Sequence, residues 1–188
     1  MNYNGRRIYE QPSYEHESQG LGSRIMMVLG GIVAIGALVA GVYYGARGMS
    51  SGLGRGDRFV PISGYTVDGT AINTDDYADK ILVVDFWATW CPPCREGIPK
   101  LVAVQEEFAD KGVQVIGVSC DQSPKDVTNY CRQAGVNFPS VFQGADEASV
   151  QYDVHSIPTT LIVGRDGKIL FRGVGVGDIR AEVISALE

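Results

Sequence analysis

The chain has 188 residues, a formal net charge of −6 and 4 cysteines. Its 45% hydrophobic and 20% charged content allows a packed core and excludes a wholly disordered chain. The acidic balance excludes a nucleic-acid binder that works by neutralising phosphates, and the cysteines are too few for a disulfide-stapled mini-protein.

Residues 1–24 are polar, dotted with Tyr and without apolar periodicity, and read as a flexible tail. Residues 25–45 contain no charged side chain. As a helix they span about 31 Å, close to the roughly 30 Å of a bilayer core, with Tyr43 and Tyr44 at the level of an interfacial belt. They are read as one transmembrane helix. A cleaved signal peptide is the competing reading; the long, acid-bearing region in front and the length of the apolar run favour an uncleaved anchor. Gly41 and Gly45 form a GxxxG through which two such helices could pair as a homodimer. Arg6, Arg7 and Arg24 precede the span and Arg47, Arg55 and Arg58 follow it, so the positive-inside count does not orient it. Residues 46–56 read as a Gly/Ser linker.

Residues 57–188 then form one domain with 11 Lys and Arg against 19 Asp and Glu. Tyr65 to Ile72 predicts a hairpin about a type I′ Asp68-Gly69 turn. Ile81 to Ala88 is apolar except for Asp85, which suits a strand buried on both faces. The periodicity predicts a helix over 95–110, a strand over 113–119 and a helix opened by Ser123-Pro124 and ended by Gly135. A short strand at Val141-Phe142 and a short helix over 145–152 follow. Strands 159–163 and 168–174 flank a Gly164-Arg165-Asp166-Gly167 turn, and Asp178 caps a last helix to 187. This order predicts an α/β domain with a mixed central sheet and helices on both faces.

The chemistry lies in Trp90-Cys91-Pro92-Pro93-Cys94-Arg95, between the buried strand and the first long helix. Two cysteines at this spacing can close a small disulfide ring. The unsatisfied N–H groups and partial positive charge of a helix start favour the thiolate of Cys91, the attacking species in disulfide exchange. Pro92 and Pro93 remove two donors and stiffen the turn. Half of a zinc site, completed by Cys120, Cys131 or His155, is the competing reading; no second CxxC or HxxxH supports it. No metal and no cofactor are expected. Cys120 and Cys131 are either two inert buried thiols or a second disulfide.

The stretch from Val84 to Arg95, with Ile157-Pro158-Thr159 later in the chain, closely resembles the active-site segments of the thioredoxin superfamily. Gly117-Val118-Ser119-Cys120-Asp121, Asn137-Phe138-Pro139 and Gly164 to Lys168 resemble its membrane-anchored TlpA-like or ResA-like branch. The resemblance covers about residues 57–188 and implies a thioredoxin-like fold. It implies that Cys91 is the exposed attacking thiol and Cys94 the more buried resolving one, the pair forming a redox-active disulfide. It makes Pro158 cis, facing the pair, with the backbone of Ile157 pairing an extended substrate. Trp90, beside Cys91, reads either as a core aromatic, like Trp87, or as a rim for a partner. Asp85 becomes a proton relay for Cys94, against the plainer reading of a structural Asp paired with Lys or a backbone amide. Pro99 marks a helix kink.

The activity so implied is reduction of protein disulfides outside the cytoplasmic membrane of a bacterium, including those of apocytochrome c, with re-reduction by a membrane electron donor. Two departures qualify it. Gly97 stands where the branch often has Glu, the acid being moved to Glu96, about 100° around the helix. Cys120 and Cys131 are additional. A peroxiredoxin-like antioxidant is a further alternative, weakened by Ala88 where such an enzyme needs Thr. A non-catalytic tethered binding or chaperone module is another.

Overall fold

The computed structural model describes residues 53–175 and 177–188. The expected tail, transmembrane helix, Gly41/Gly45 contact and first part of the linker lie outside the described residues. Among the described residues no helix is long and apolar enough to cross a membrane.

Every residue of β3 (Ile81–Trp87) is buried, which makes it the central strand of a five-stranded sheet. β4 (Val113–Ser119) lies parallel to it, with β5 (Ser140–Val141) beyond β4. On the other side β6 (Thr159–Val163) and β7 (Ile169–Val174) run antiparallel, so the order is β5-β4-β3-β6-β7. A separate hairpin joins β1 (Ser63–Tyr65) to β2 (Ala71–Asn73).

Strand alternation sends successive side chains to opposite faces, and the helices divide accordingly. Ile81, Val83 and Trp87 pack with Ile98, Leu101, Val104 and Phe108 of α1 (Pro92–Phe108), and with Ile179 and Val183 of α4 (Ile179–Leu187). Val127 of α2 (Pro124–Ala134) joins the same core. Leu82, Val84 and Phe86 pack instead with Ala145 and Ala148 of α3 (Ala145–Gln151) and with Tyr152, Ile62 and Ile72. Each such fully buried aliphatic or Phe side chain contributes about 1.5–3 kcal/mol. Gly117 lets Trp87 into the first core: a Cβ there would stand 2.8 Å from Trp87 Nε1 and 2.6 Å from Ser140 Oγ, the two atoms joined by a 3.1 Å hydrogen bond.

The first hairpin differs from expectation. A type I′ turn needs positive φ at both central residues, and here Gly69 has φ +84° whereas Asp68 does not have a positive φ. The Gly69 N–H reaches Thr66 O at 3.0 Å and the Thr66 N–H reaches Thr70 O at 2.9 Å. The loop therefore holds three residues, Val67 to Gly69, and Tyr65 pairs with Ala71.

Residues 53–56, expected in the linker, are docked on the domain. The Gly56 N–H bonds Ile169 O at 2.8 Å, the Ile169 N–H bonds Asp57 O at 2.9 Å, and the Phe59 N–H bonds Gly167 O at 2.8 Å. The buried Tyr152 hydroxyl accepts from the Val60 N–H at 2.9 Å and donates to Val60 O. Arg172 donates to Leu53 O at 2.6 Å, to Tyr152 O at 2.7 Å and to Asp153 O at 3.1 Å. Beyond this strap, Tyr65 bridges to Gln143, just past β5.

Candidate active site

β3 delivers the chain to the site. After Trp87 a turn through Thr89 and Trp90 is closed by the Cys91 N–H bonding Ala88 O at 3.2 Å. Cys91 is the N-cap of α1, its Sγ accepting from the Cys94 N–H at 3.3 Å, with Pro92 and Pro93 as the first helical residues. Cys91 and Cys94 are joined by a disulfide, with S–S 2.15 Å and Cα atoms 5.3 Å apart. Opposite them the Ile157–Pro158 bond is cis, and Cys91 Sγ lies 3.7 Å from Ile157 O. The Gly175 N–H holds Pro158 O at 2.8 Å. The pair and the Ile157-Pro158 loop therefore meet, although 66 residues separate Cys91 from Ile157.

Exposure departs from expectation. Cys91 is only 4% exposed and Cys94 1%, so in this oxidised form the expected exposed thiol is covered. The closed ring and the Ile157 carbonyl against its sulfur account for the cover. The accessible surface belongs to Trp90, 66% exposed, and to the exposed Pro92 and Pro93.

Asp85 is 3% exposed and lies in β3 opposite Thr160 of β6. Burial pushes its pKa up to about 7, and the Thr160 hydroxyl, donating to Oδ1 at 2.7 Å, only partly offsets this. Its partner is thus a hydroxyl, not the Lys or backbone amide of the plainer reading. Asp85 lines a small cavity together with Gly97, Lys100, Leu101, Pro158, Thr160 and Gly175. Glu96 lies elsewhere, on a groove with Pro92, Arg95 and Tyr130. Arg95 sits 5.7 Å over the Tyr130 ring, which in turn packs 5.6 Å from Trp87.

Cys120 and Cys131 are free and half-buried, so the second disulfide is not formed here. Burial raises the pKa of both thiols, and the negative charge of Asp121 acts in the same direction. His155 is exposed and contacts Asp153 at 2.7 Å. Among the described residues no three His, Cys, Asp or Glu side chains converge on one point.

A sequence model of the AhpC/TSA family matches residues 56–172. The chain belongs to the AhpC/TSA family. As a member, it is similar to the thiol-disulfide oxidoreductase ResA of Bacillus subtilis, with 32% identity over 103 residues, 55% of this chain and 58% of that protein. It is also similar to ResA of Bacillus anthracis, with 28% identity over 109 residues, 58% of this chain and 63% of that protein. The match therefore spans about three-fifths of the length of these curated relatives.

Among solved structures, a thiol:disulfide interchange protein of the thioredoxin family from Chlorobium tepidum aligns with TM-score 0.65 and 29% identity. It covers 70% of this chain and 96% of that one. The thioredoxin domain of a thiol-disulfide oxidoreductase from Bacteroides vulgatus aligns with TM-score 0.67 and 25% identity, over 72% of this chain and 99% of that one. The α/β fold of this AhpC/TSA member is thioredoxin-like, as the sequence resemblance implies.

One set of site residues was not anticipated from the sequence. Asp121, just past β4, accepts from the Thr89 N–H at 3.0 Å, from the Thr89 hydroxyl at 2.6 Å and from the Ser119 hydroxyl at 2.9 Å. The Gly117 to Asp121 stretch was the only signal for it.

Proposed function

We propose that the chain is a thiol–disulfide oxidoreductase that reduces disulfides of extracytoplasmic proteins, tethered to a bacterial cytoplasmic membrane by residues 25–45. The observation that carries this reading is the Cys91–Cys94 pair at the start of α1, set against the Ile157 backbone. Names of relatives and neighbours support the same chemistry.

In the reduced protein the Cys91 thiolate attacks a substrate disulfide. A bond forms between Cys91 Sγ and one substrate sulfur while the substrate S–S bond breaks, and the departing sulfur takes a proton. Cys94, having given its proton towards Asp85, then attacks Cys91 Sγ. The mixed disulfide breaks, the second substrate thiol leaves, and the Cys91–Cys94 bond closes. Two electrons and two protons from a membrane donor reopen the pair, and no cofactor beyond the cysteines is needed. Ile157 supplies main-chain groups for an extended substrate segment, and Trp90 with Pro92, Pro93 and Pro158 forms the surface around it. Apocytochrome c cysteine pairs are the substrate class that the resemblance suggests.

Insulin reduction tests the reading. Cys91→Ser should abolish it, and Cys94→Ala should accumulate a mixed disulfide whose partner mass spectrometry can identify. A biological function retained in full by Cys91→Ser would instead favour the tethered binding module. Peroxidase chemistry has less support, because Ala88 is fully buried and carries no hydroxyl to orient a peroxide.

A further inference from the structure

The turn that aims Cys91 is short, and one carboxylate holds it. Thr89 and Trp90 are its central residues. Asp121 takes both donors of Thr89, the amide at 3.0 Å and the hydroxyl at 2.6 Å. The same carboxylate accepts from the buried Ser119 hydroxyl at 2.9 Å, and that oxygen accepts the Asp121 N–H at 3.3 Å. The neighbouring Cys120 N–H bonds Trp87 O at 2.8 Å. The end of β4 therefore grips the last residue of β3 and the first half of the turn that follows it. A carboxylate is acceptor-only and serves several donors at once, and hydrogen bonds to a charged group are the stronger kind.

We infer that Asp121 is a positioning residue for the Cys91 nucleophile: by fixing Thr89 it sets the turn that brings Cys91 Sγ to the Cys94 N–H. This deepens the oxidoreductase reading and rests on it. The Sγ-to-amide contact, at 3.3 Å, is the one through which the start of α1 favours the thiolate, and such terminus effects fall off within a turn. Without the carboxylate the Thr89 amide loses its partner, the turn loosens, and Sγ leaves the position where the helix start acts on it. Asp121 touches no reacting atom in this arrangement. Its charge alone would work the other way, since a nearby anion disfavours a thiolate.

The test follows alkylation of Cys91 by iodoacetamide in the reduced full-length protein across a pH series, with the modified sulfur assigned by mass spectrometry. Asp121→Ala should raise the midpoint of the alkylation profile and slow the reaction at neutral pH about tenfold. Asp121→Asn keeps a carbonyl acceptor for the Thr89 amide, and with the two hydroxyls rotated it should stay within about twofold of the unsubstituted protein. Where Asp121→Ala does not fold, Thr89→Val, which deletes only the hydroxyl bond, should move the midpoint upward by a smaller amount. An Ala midpoint that stays put, or midpoints that fall together in the Asn and Ala variants as removal of a charge predicts, would overturn the proposal. A Cys91 that is unreactive in the unsubstituted protein overturns the functional reading and this one with it. A reactive Cys91 indifferent to all three substitutions overturns this proposal alone.

Discussion

Asp85 lies inside β3 with a single hydroxyl for company, and its raised pKa couples proton binding to folding. The folded protein holds this proton up to about pH 7, whereas an unfolded Asp releases it near its ordinary value of 3.8. Between those values the folded state binds more protons, so stability falls as pH rises and levels off above about 7. The fall attributable to this residue is on the order of 4 kcal/mol. Urea denaturation of Asp85→Asn across that range should show a flatter profile and a gain at alkaline pH; an unchanged slope would show that Asp85 is not the group responsible. The same variant should alter the pH–rate profile of disulfide exchange if Asp85 serves Cys94. The cysteine pair and Asp85 were legible in the sequence, because a spacing of three residues and a lone acid in an apolar run are local signals. Asp121 was not, because its partner Thr89 is 32 residues away and only the meeting of the ends of β3 and β4 joins them.

The helices that carry their own caps begin and end where the sequence signals put them. α2 starts at Pro124 behind Ser123, whose hydroxyl accepts from the Asp126 N–H at 3.3 Å, and Gly135 ends it. α4 starts behind Asp178, whose Oδ1 accepts from the Ala181 N–H at 3.1 Å. Ser123→Ala should cost about 1 kcal/mol in denaturant unfolding, and no loss would mean that water or a neighbour satisfies the same amide. The first hairpin lies one register step from the expected pairing, since a dipeptide such as Asp68-Gly69 fits either a two-residue turn or the end of a three-residue loop. Strand β4 gives a sharper test of packing. Gly117→Ala forces a methyl group against Trp87 and Ser140 and should destabilise by about 1–3 kcal/mol, with the change visible in tryptophan emission. A neutral result would show that the Trp87 ring has room to move.

At the scale of the whole molecule, sheet order depends on distant pairings that no local pattern records, and the docking of residues 53–56 depends on such pairings too. Gly54 and Gly56 read as spacer, yet the Gly56 N–H bonds Ile169 O, and the chain continues into bonds from the Phe59 N–H to Gly167 O and from the Val60 N–H to the Tyr152 hydroxyl. Tyr152→Phe removes the acceptor for the Val60 N–H and should cost about 1–3 kcal/mol; equal midpoints in thermal unfolding would mean that the strap contributes nothing to stability. The chain that bonds the start of β7 at Gly56 to Phe59 also reaches the far side of the sheet at Tyr65, next to Gln143. One continuous stretch thus occupies backbone groups at the start of one rim, at Ile169, and just past the other, at Gln143, where open ladders would invite another chain. Proteolytic nicking between residues 59 and 65 would bare the two rims together, and light scattering should then register oligomers from a fold whose disulfide and helices are untouched.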